Sequence, residues 1–216
     1  MKNSLMIGAV LALAGLAAAG ARADVITVAY PTFAQGGTFY NGIQLGWSTG
    51  NGGDGYAGFG PTGQNDAWRK WGRTDTYGPM SGPVQALTAL YEANKTYTLT
   101  FNAMIDSGTG SVVNARFQYL PEGALNGYEA ADPIPAATRN FTVTSTTEWI
   151  PCTFSYTAPA SGVSIGRNIA LSFNFPDTNQ VPVVWLTDVT LSVVPEPGAM
   201  ALLAAGLAGL CWRKRQ

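Results

Sequence analysis

Hydrophobic and polar positions alternate with a period of two along much of the chain. Thr96–Met104 (TYTLTFNAM) puts Tyr97, Leu99, Phe101 and Ala103 on one face and Thr96, Thr98, Thr100 and Asn102 on the other. That is the pattern of a half-buried strand. The same rhythm runs through Val112–Leu120, Arg139–Thr144, Trp149–Thr157, Asn168–Phe175 and Val183–Val193, with Val25–Tyr30, Ile43–Trp47 and Val84–Leu90 as further strand candidates. Gly, Pro, Asn and Asp punctuate these runs, and no amphipathic helix interrupts them. Eight or nine strands at this spacing predict an all-β domain, two antiparallel sheets packed as a sandwich. Gly46–Gly82 breaks the rhythm, being rich in Gly and in Trp47, Tyr56, Phe59, Trp68, Trp71 and Tyr77. The entropy of ordering so much glycine predicts long loops there around one short strand, with Asn65–Trp71 (NDAWRKW) the candidate.

The two ends of the 216-residue chain carry a different pattern, unbroken apolar runs. Met1-Lys2, the run Leu5–Ala19 and the small-x-small sequence Ala21-Arg22-Ala23 read as a secretory signal peptide over residues 1–23, a signal helix cleaved between Ala23 and Asp24. At the other end Val194-Pro195-Glu196-Pro197 precedes the apolar stretch Gly198–Trp212 and the basic cluster Arg213-Lys214-Arg215. As a short helix that stretch would reach only about 22 Å, less than the ~30 Å hydrocarbon core of a bilayer. The prolines block its continuation, and the basic cluster favours the cytoplasmic side. A plain tail anchor is one reading. The order Pro-Glu-Pro, short apolar segment and basic end also resembles the PEP-CTERM sorting signal of Gram-negative bacteria. That resemblance makes 195–216 a sorting segment and implies an exosortase-type membrane protease as partner. It further implies transient insertion in the inner membrane through this transmembrane helix, then release or attachment at the cell surface or outside the cell, a setting associated with exopolysaccharide.

Between the two signals lies a domain over residues 24–194, with seven basic residues against twelve acidic ones, a net charge of −5. Such a balance gives no electrostatic footprint for nucleic acid. The chain has no histidine, which removes Ser-His-Asp and Cys-His nucleophile systems and His-ligated metal sites. No cofactor motif is present. Cys211 belongs to the sorting segment, so Cys152 stands alone in the domain without an intrachain disulfide partner. It shares a face with Ile150, Phe154 and Tyr156, which reads as a buried small hydrophobe, the alternative being a reactive thiol. Only 12% of residues are charged, and the acids of the domain are scattered, with Glu122 and Glu129 in a Pro/Gly-bearing loop. Glycoside hydrolysis needs two carboxylates at fixed separation, so an enzyme is the less favoured class.

The domain itself has a family likeness. Pro31-Thr32-Phe33 with Gly46-Trp47, Val84-Gln85-Ala86-Leu87, the run Leu90–Phe101, Trp149 opening a strand, and Val183–Leu191 (VVWLTDVTL) together resemble the galactose-binding-like jelly rolls. These include carbohydrate-binding modules of the family 4/9 type. The resemblance implies a non-catalytic β-sandwich that binds carbohydrate. It would also give Asp188 a structural calcium, with a Glu of the first strand as partner. Ala34 stands where that Glu is expected, so Asp188 is either a calcium candidate or a loop-capping acid.

Sugar rings stack on aromatic faces while amides, carboxylates and guanidinium groups meet their hydroxyls. Trp68 and Trp71 with Arg69, Asn65 and Asp66 supply both in one short segment, and Tyr56 and Tyr77 are additional platforms. Trp68 and Trp71 face opposite sides of an extended strand, so at least one of them is expected to plug the core. The reading is therefore a secreted, non-catalytic surface or matrix protein that binds extracellular polysaccharide. The alternative is a purely structural matrix protein with no specific sugar site.

Overall fold

The computed structural model describes residues 23–29, 31, 37–39, 43–44, 47–49, 55–57, 68–70, 80–122, 132–176 and 183–194. Among the described residues the strands are β1 (Asp24–Ile26), β2 (Gly37–Phe39), β3 (Ile43–Gln44), β4 (Trp47–Thr49), β5 (Gly55–Ala57), β6 (Trp68–Lys70) and β7 (Met80–Leu90). They continue with β8 (Thr96–Ile105), β9 (Ser111–Tyr119), β10 (Asp132–Val143), β11 (Ile150–Thr157), β12 (Asn168–Phe175) and β13 (Val184–Val194). The first sheet runs β11-β8-β13-β6-β5-β2, with β1 also beside β13, and the second runs β10-β9-β12-β7-β4-β3. Strand pairing is antiparallel in both, as in the predicted sandwich.

Alternation decides which side of each strand faces the other sheet. In β8, Tyr97, Leu99, Phe101 and Ala103 are buried while the threonines between them are partly exposed. Cys152, Phe154 and Tyr156 do the same for β11, and Val184, Leu186, Val189 and Leu191 for β13. The second sheet answers with Val113, Ala115 and Phe117 of β9 and Ile169, Leu171, Phe173 and Phe175 of β12. Rings interlock across the gap: Phe101 meets Phe173 edge-on at 4.9 Å, and Phe117 lies 4.9 Å from Phe154. Such pairs add about 0.5–1.5 kcal/mol each beyond the area they bury. Cys152 is 3% exposed within this core, and burial pushes its thiol up to about 11.

β13 organises the first sheet. One edge pairs with β8 along its length; the other pairs with β6 near its start and with β1 near its end. Between these partners the register shifts after Thr187, Asp188 takes a φ of 54°, and Val189 N–H donates to the Pro31 carbonyl at 3.0 Å. A bulge of this kind bends a strand and re-aims its side chains.

Three local expectations are corrected. Ile43–Trp47 is not one strand: Gln44 pairs with Trp47, so the run folds back as β3 and β4. Among the described residues Gly46–Gly82 holds three short strands rather than one, because β4, β5 and β6 each find a hydrogen-bonding neighbour in a sheet. β10 begins at Asp132, ahead of Arg139, and its register shifts between Pro133 and Thr138, where prolines supply no N–H to the ladder. The expected signal helix and C-terminal apolar helix lie outside the described residues. Among the described residues no helix is long and apolar enough to cross a membrane.

Candidate functional site

The outward face of the second sheet carries amide, hydroxyl and guanidinium side chains. β9 places Asn114, Arg116 and Gln118 at alternate positions, between the core residues Val113, Ala115 and Phe117. Register aligns Asn114 with Asn174 of β12 on one side and Asn140 of β10 on the other, a row of three asparagines. The next row is Ser172, Arg116 and Thr138. Neighbouring strands lie about 4.8 Å apart, so each row is a closely spaced line of polar groups.

These groups hold one another. Asn114 Nδ2 donates to Asn140 Oδ1 at 2.5 Å, and Arg116 Nε donates to Asn114 Oδ1. With its amide oriented to satisfy both ends, Asn174 donates to the Phe173 carbonyl at 3.1 Å and turns its oxygen on Arg116, 2.8 Å from Nη1. Asn114 is 8% exposed and Ser172 2%, whereas Asn140 and Thr138 are open to solvent at the β10 edge. The Ser172 hydroxyl makes no hydrogen bond. Partial burial lowers the Arg116 pKa from its ordinary value by withdrawing the cation from water. The ion pairs among the described residues are Lys95–Glu92 and Arg167–Glu122, and neither involves Arg116.

The outward face of the first sheet is built differently. Thr96 bonds Thr157 and Thr98 bonds Ser155, each at 2.8 Å; Thr100 bonds Thr190, and Asn102 donates to Asp188 at 2.9 Å. At one end a small apolar cluster gathers Met104 and Trp185, with Trp149 and Val183 packed on it.

The sequence-derived candidates fall in part on that first sheet. Arg69 is aligned with Trp185 and with Tyr56 of β5, while Trp68 is aligned with Leu186, a core-facing residue of β13. Asn65, Asp66, Trp71 and Tyr77 lie outside the described residues, as do Pro195, Glu196, Pro197, Arg213, Lys214 and Arg215. Ala23 and Asp24 are exposed, with Asp24 opening β1. Asp188 is exposed at the bulge, and no group of three or more His, Cys, Asp or Glu side chains gathers among the described residues. Of the described tryptophan side chains, Trp47 and Trp185 are buried and Trp149 is partly so. The asparagine–arginine face was missed at the level of sequence. Its signal is Asn114-x-Arg116-x-Gln118 alternating with core residues in a strand that has neighbours on both edges.

Fold and face together define a jelly-roll β-sandwich domain with a buried polar patch on one outer surface. Residues 193–216 match the PEP-CTERM protein-sorting motif, which marks a chain for exosortase-dependent export to the cell surface. No curated protein matches the chain in sequence. Solved structures share its fold. A cyclase from Fischerella sp. TAU, in complex with 4-(1H-indol-3-yl)butan-2-one, is 15% identical with a TM-score of 0.58, covering 80% of this chain and 98% of its own. The CBM22-1 xylan-binding domain of Paenibacillus barcinonensis Xyn10C is 14% identical with a TM-score of 0.52, covering 82% and 99%. A CBM4 structure is 17% identical with a TM-score of 0.50, covering 77% and 99%.

Proposed function

We propose that the exported domain is a glycan-binding module of the cell surface or extracellular matrix, holding extracellular polysaccharide without cleaving it. The observation that carries this reading is the row of Asn174, Asn114 and Asn140 beside Ser172, Arg116 and Thr138. The members that reach solvent, Asn140, Thr138 and the partly exposed Arg116 and Asn174, offer donors and acceptors in directions fixed by strand register, which is what a ring bearing several hydroxyls requires. The fold is compatible, since xylan-binding CBM22-1 is built on it. Asp24, Glu92, Asp106, Glu122, Glu148 and Asp188 are exposed and stand outside these rows, so none of them is placed to act on a sugar held there. A second surface is proposed at Trp68, Arg69 and Tyr56, with Asn65, Asp66, Trp71 and Tyr77 of the neighbouring sequence. The alignment of Tyr56, Arg69 and Trp185 in one line across the first sheet favours it.

Affinity electrophoresis of the full chain in gels containing xylan, β-glucan or an acidic exopolysaccharide tests both surfaces. Thr138→Ala, at an exposed position, should weaken retention about 2- to 12-fold with an unchanged melt, the worth of one hydrogen bond, whereas Asn140→Ala should also lower the melt because the buried Asn114 amide loses its acceptor. Trp68→Ala and Trp71→Ala should separate, one melting early and the other binding poorly. Retention on no polysaccharide at all would leave a structural matrix protein.

A further inference from the structure

We infer that the sugar taken by the second-sheet face is an acidic one, a uronic acid whose carboxylate is received by Arg116. This names the substrate class of the glycan-binding reading and rests on it.

Arg116 stands in the middle of β9, a strand paired on both edges. A cation in such a place ordinarily has an acid beside it, because an uncompensated charge is costly to withdraw from water. Here its partners are neutral amides, Asn114 and Asn174. The Asn174 oxygen lies 3.1, 2.8 and 3.1 Å from Nη2, Nη1 and Nε. That oxygen is shared among the three donors, and since each Nη carries two hydrogens, each keeps an N–H to donate elsewhere. A planar fork with parallel donors fits two carboxylate oxygens, in a charge-assisted pair about twice as strong as neutral hydrogen bonds.

The surroundings extend the fit. Asn140 and Thr138 flank the guanidinium on the solvent side, where ring hydroxyls of the same sugar would lie. A neutral sugar could occupy these amides and hydroxyls, yet it would leave the positive charge unanswered. A carboxylate answers it. The domain over 24–194 is net acidic, so it has no general attraction for polyanions, and recognition of an acidic polymer must be local.

The test uses the full chain in affinity electrophoresis at about 0.15 M salt. Polygalacturonate, alginate and glucuronoxylan are each run beside the same polymer with its carboxyl groups reduced to alcohols. At least one acidic polymer should be retained, with reduction weakening retention about 10- to 100-fold, the range of a charge-assisted pair. Arg116→Gln should hold the acidic and reduced polymers alike, and Arg116→Lys should recover little, since an ammonium has no fork. Melts of both variants should be lowered but stay cooperative, because Asn114 and Asn174 lose a donor while no acid is left unpaired, and retention is compared where each variant is fully folded. Equal retention of acidic and reduced polymers by the parent chain overturns the inference and leaves glycan binding intact. Retention of neither form of any polymer overturns both. Discrimination that persists in Arg116→Gln places the carboxylate elsewhere and overturns the inference.

Discussion

Gln85 is 2% exposed and works as a piece of backbone: its Oε1 accepts from Ala29 N–H at 2.9 Å, and its Nε2 donates to the Ala29 carbonyl at 3.0 Å. The same carbonyl also accepts from Trp47 Nε1 at 2.9 Å. Gln85→Glu keeps the size and the acceptor but replaces the donor with an oxygen that faces Ala29 O. The ionised side chain is then both desolvated and opposed by a carbonyl dipole, whereas the protonated one can donate as the amide did. Protonation is therefore the escape, and it limits the loss. The unfolded glutamate has a pKa of about 4.3, so holding the proton at pH 7 costs at most about 3.7 kcal/mol, some 2.7 units at about 1.36 kcal/mol each. The sign follows from the raised folded pKa. The variant should match the parent below about pH 4 and lose about 1.4 kcal/mol per unit as pH rises above that. The loss should level off once the folded pKa is passed. Urea unfolding of parent and variant between about pH 4 and 7.5, compared as a difference, reads this directly. A constant offset across that range would refute the reasoning, since it would mean that the Gln85 donor does not meet Ala29.

Other outcomes are expected from the same geometry. A Cβ on Gly82 would stand 2.4 Å from the Phe173 carbonyl oxygen and 2.6 Å from the Phe175 ring, within a strand pair that cannot yield cheaply. Gly82→Ala should cost about 1–3 kcal/mol, or about 2–12 °C in the melt. Gly166→Ala meets nothing within 4 Å and bears only its φ of +77°, so it should cost about 1 kcal/mol; a Gly82→Ala that is no worse than this would contradict the β7–β12 register. Cys152, its thiol pushed up to about 11 by burial, should resist thiol reagents at pH 8 until urea unfolds the domain, and labelling of the native protein within minutes would contradict its placement. Intact mass of the extracellular form should lack the sorting segment, and a species still ending at Gln216 would contradict processing at that motif.

The strands legible in the sequence were those whose alternation is strict. Thr96–Met104 is β8 but for one terminal residue, because every second side chain there is buried between the sheets. Trp149–Thr157 and Asn168–Phe175 likewise mark β11 and β12. Short strands escaped because their existence depends on neighbours and not on local pattern. β5 is Gly-Tyr-Ala, with no periodicity to read, and it is a strand because β2 and β6 pair with it. The site escaped for a related reason. Aromatic residues near glycine drew attention to Trp68 and Trp71, yet the polar face comes from strands far apart in sequence. Asn114, Asn140 and Asn174 meet only through the β10-β9-β12 order, which no local spacing encodes. Serine in Leu171-Ser172-Phe173 looks like an ordinary solvent-side residue until register sets it next to Arg116.

The contrast between the two outer faces argues for where function lies. On the first sheet the threonine and serine hydroxyls bond to each other across strands, and Asn102 answers Asp188. Such pairs contribute about 0.2–1 kcal/mol each to the sheet, and the one charge among them, Asp188, is met by an amide at an exposed position. On the second sheet a guanidinium is held in place by neutral amides, its charge unopposed, beside a serine hydroxyl that bonds nothing. Burying that arrangement costs stability, because desolvation penalises both the cation and the orphan hydroxyl. Hydrophobic residues at the same positions would fold the sandwich as well, as the inward side of β9 shows with Val113, Ala115 and Phe117. A cation that weakens the fold, on a domain carrying a surface-sorting motif, is accounted for when a ligand supplies its missing counter-charge. The uronate carboxylate at Arg116 does so with a single group, meeting the charge and the remaining Nη hydrogens at once.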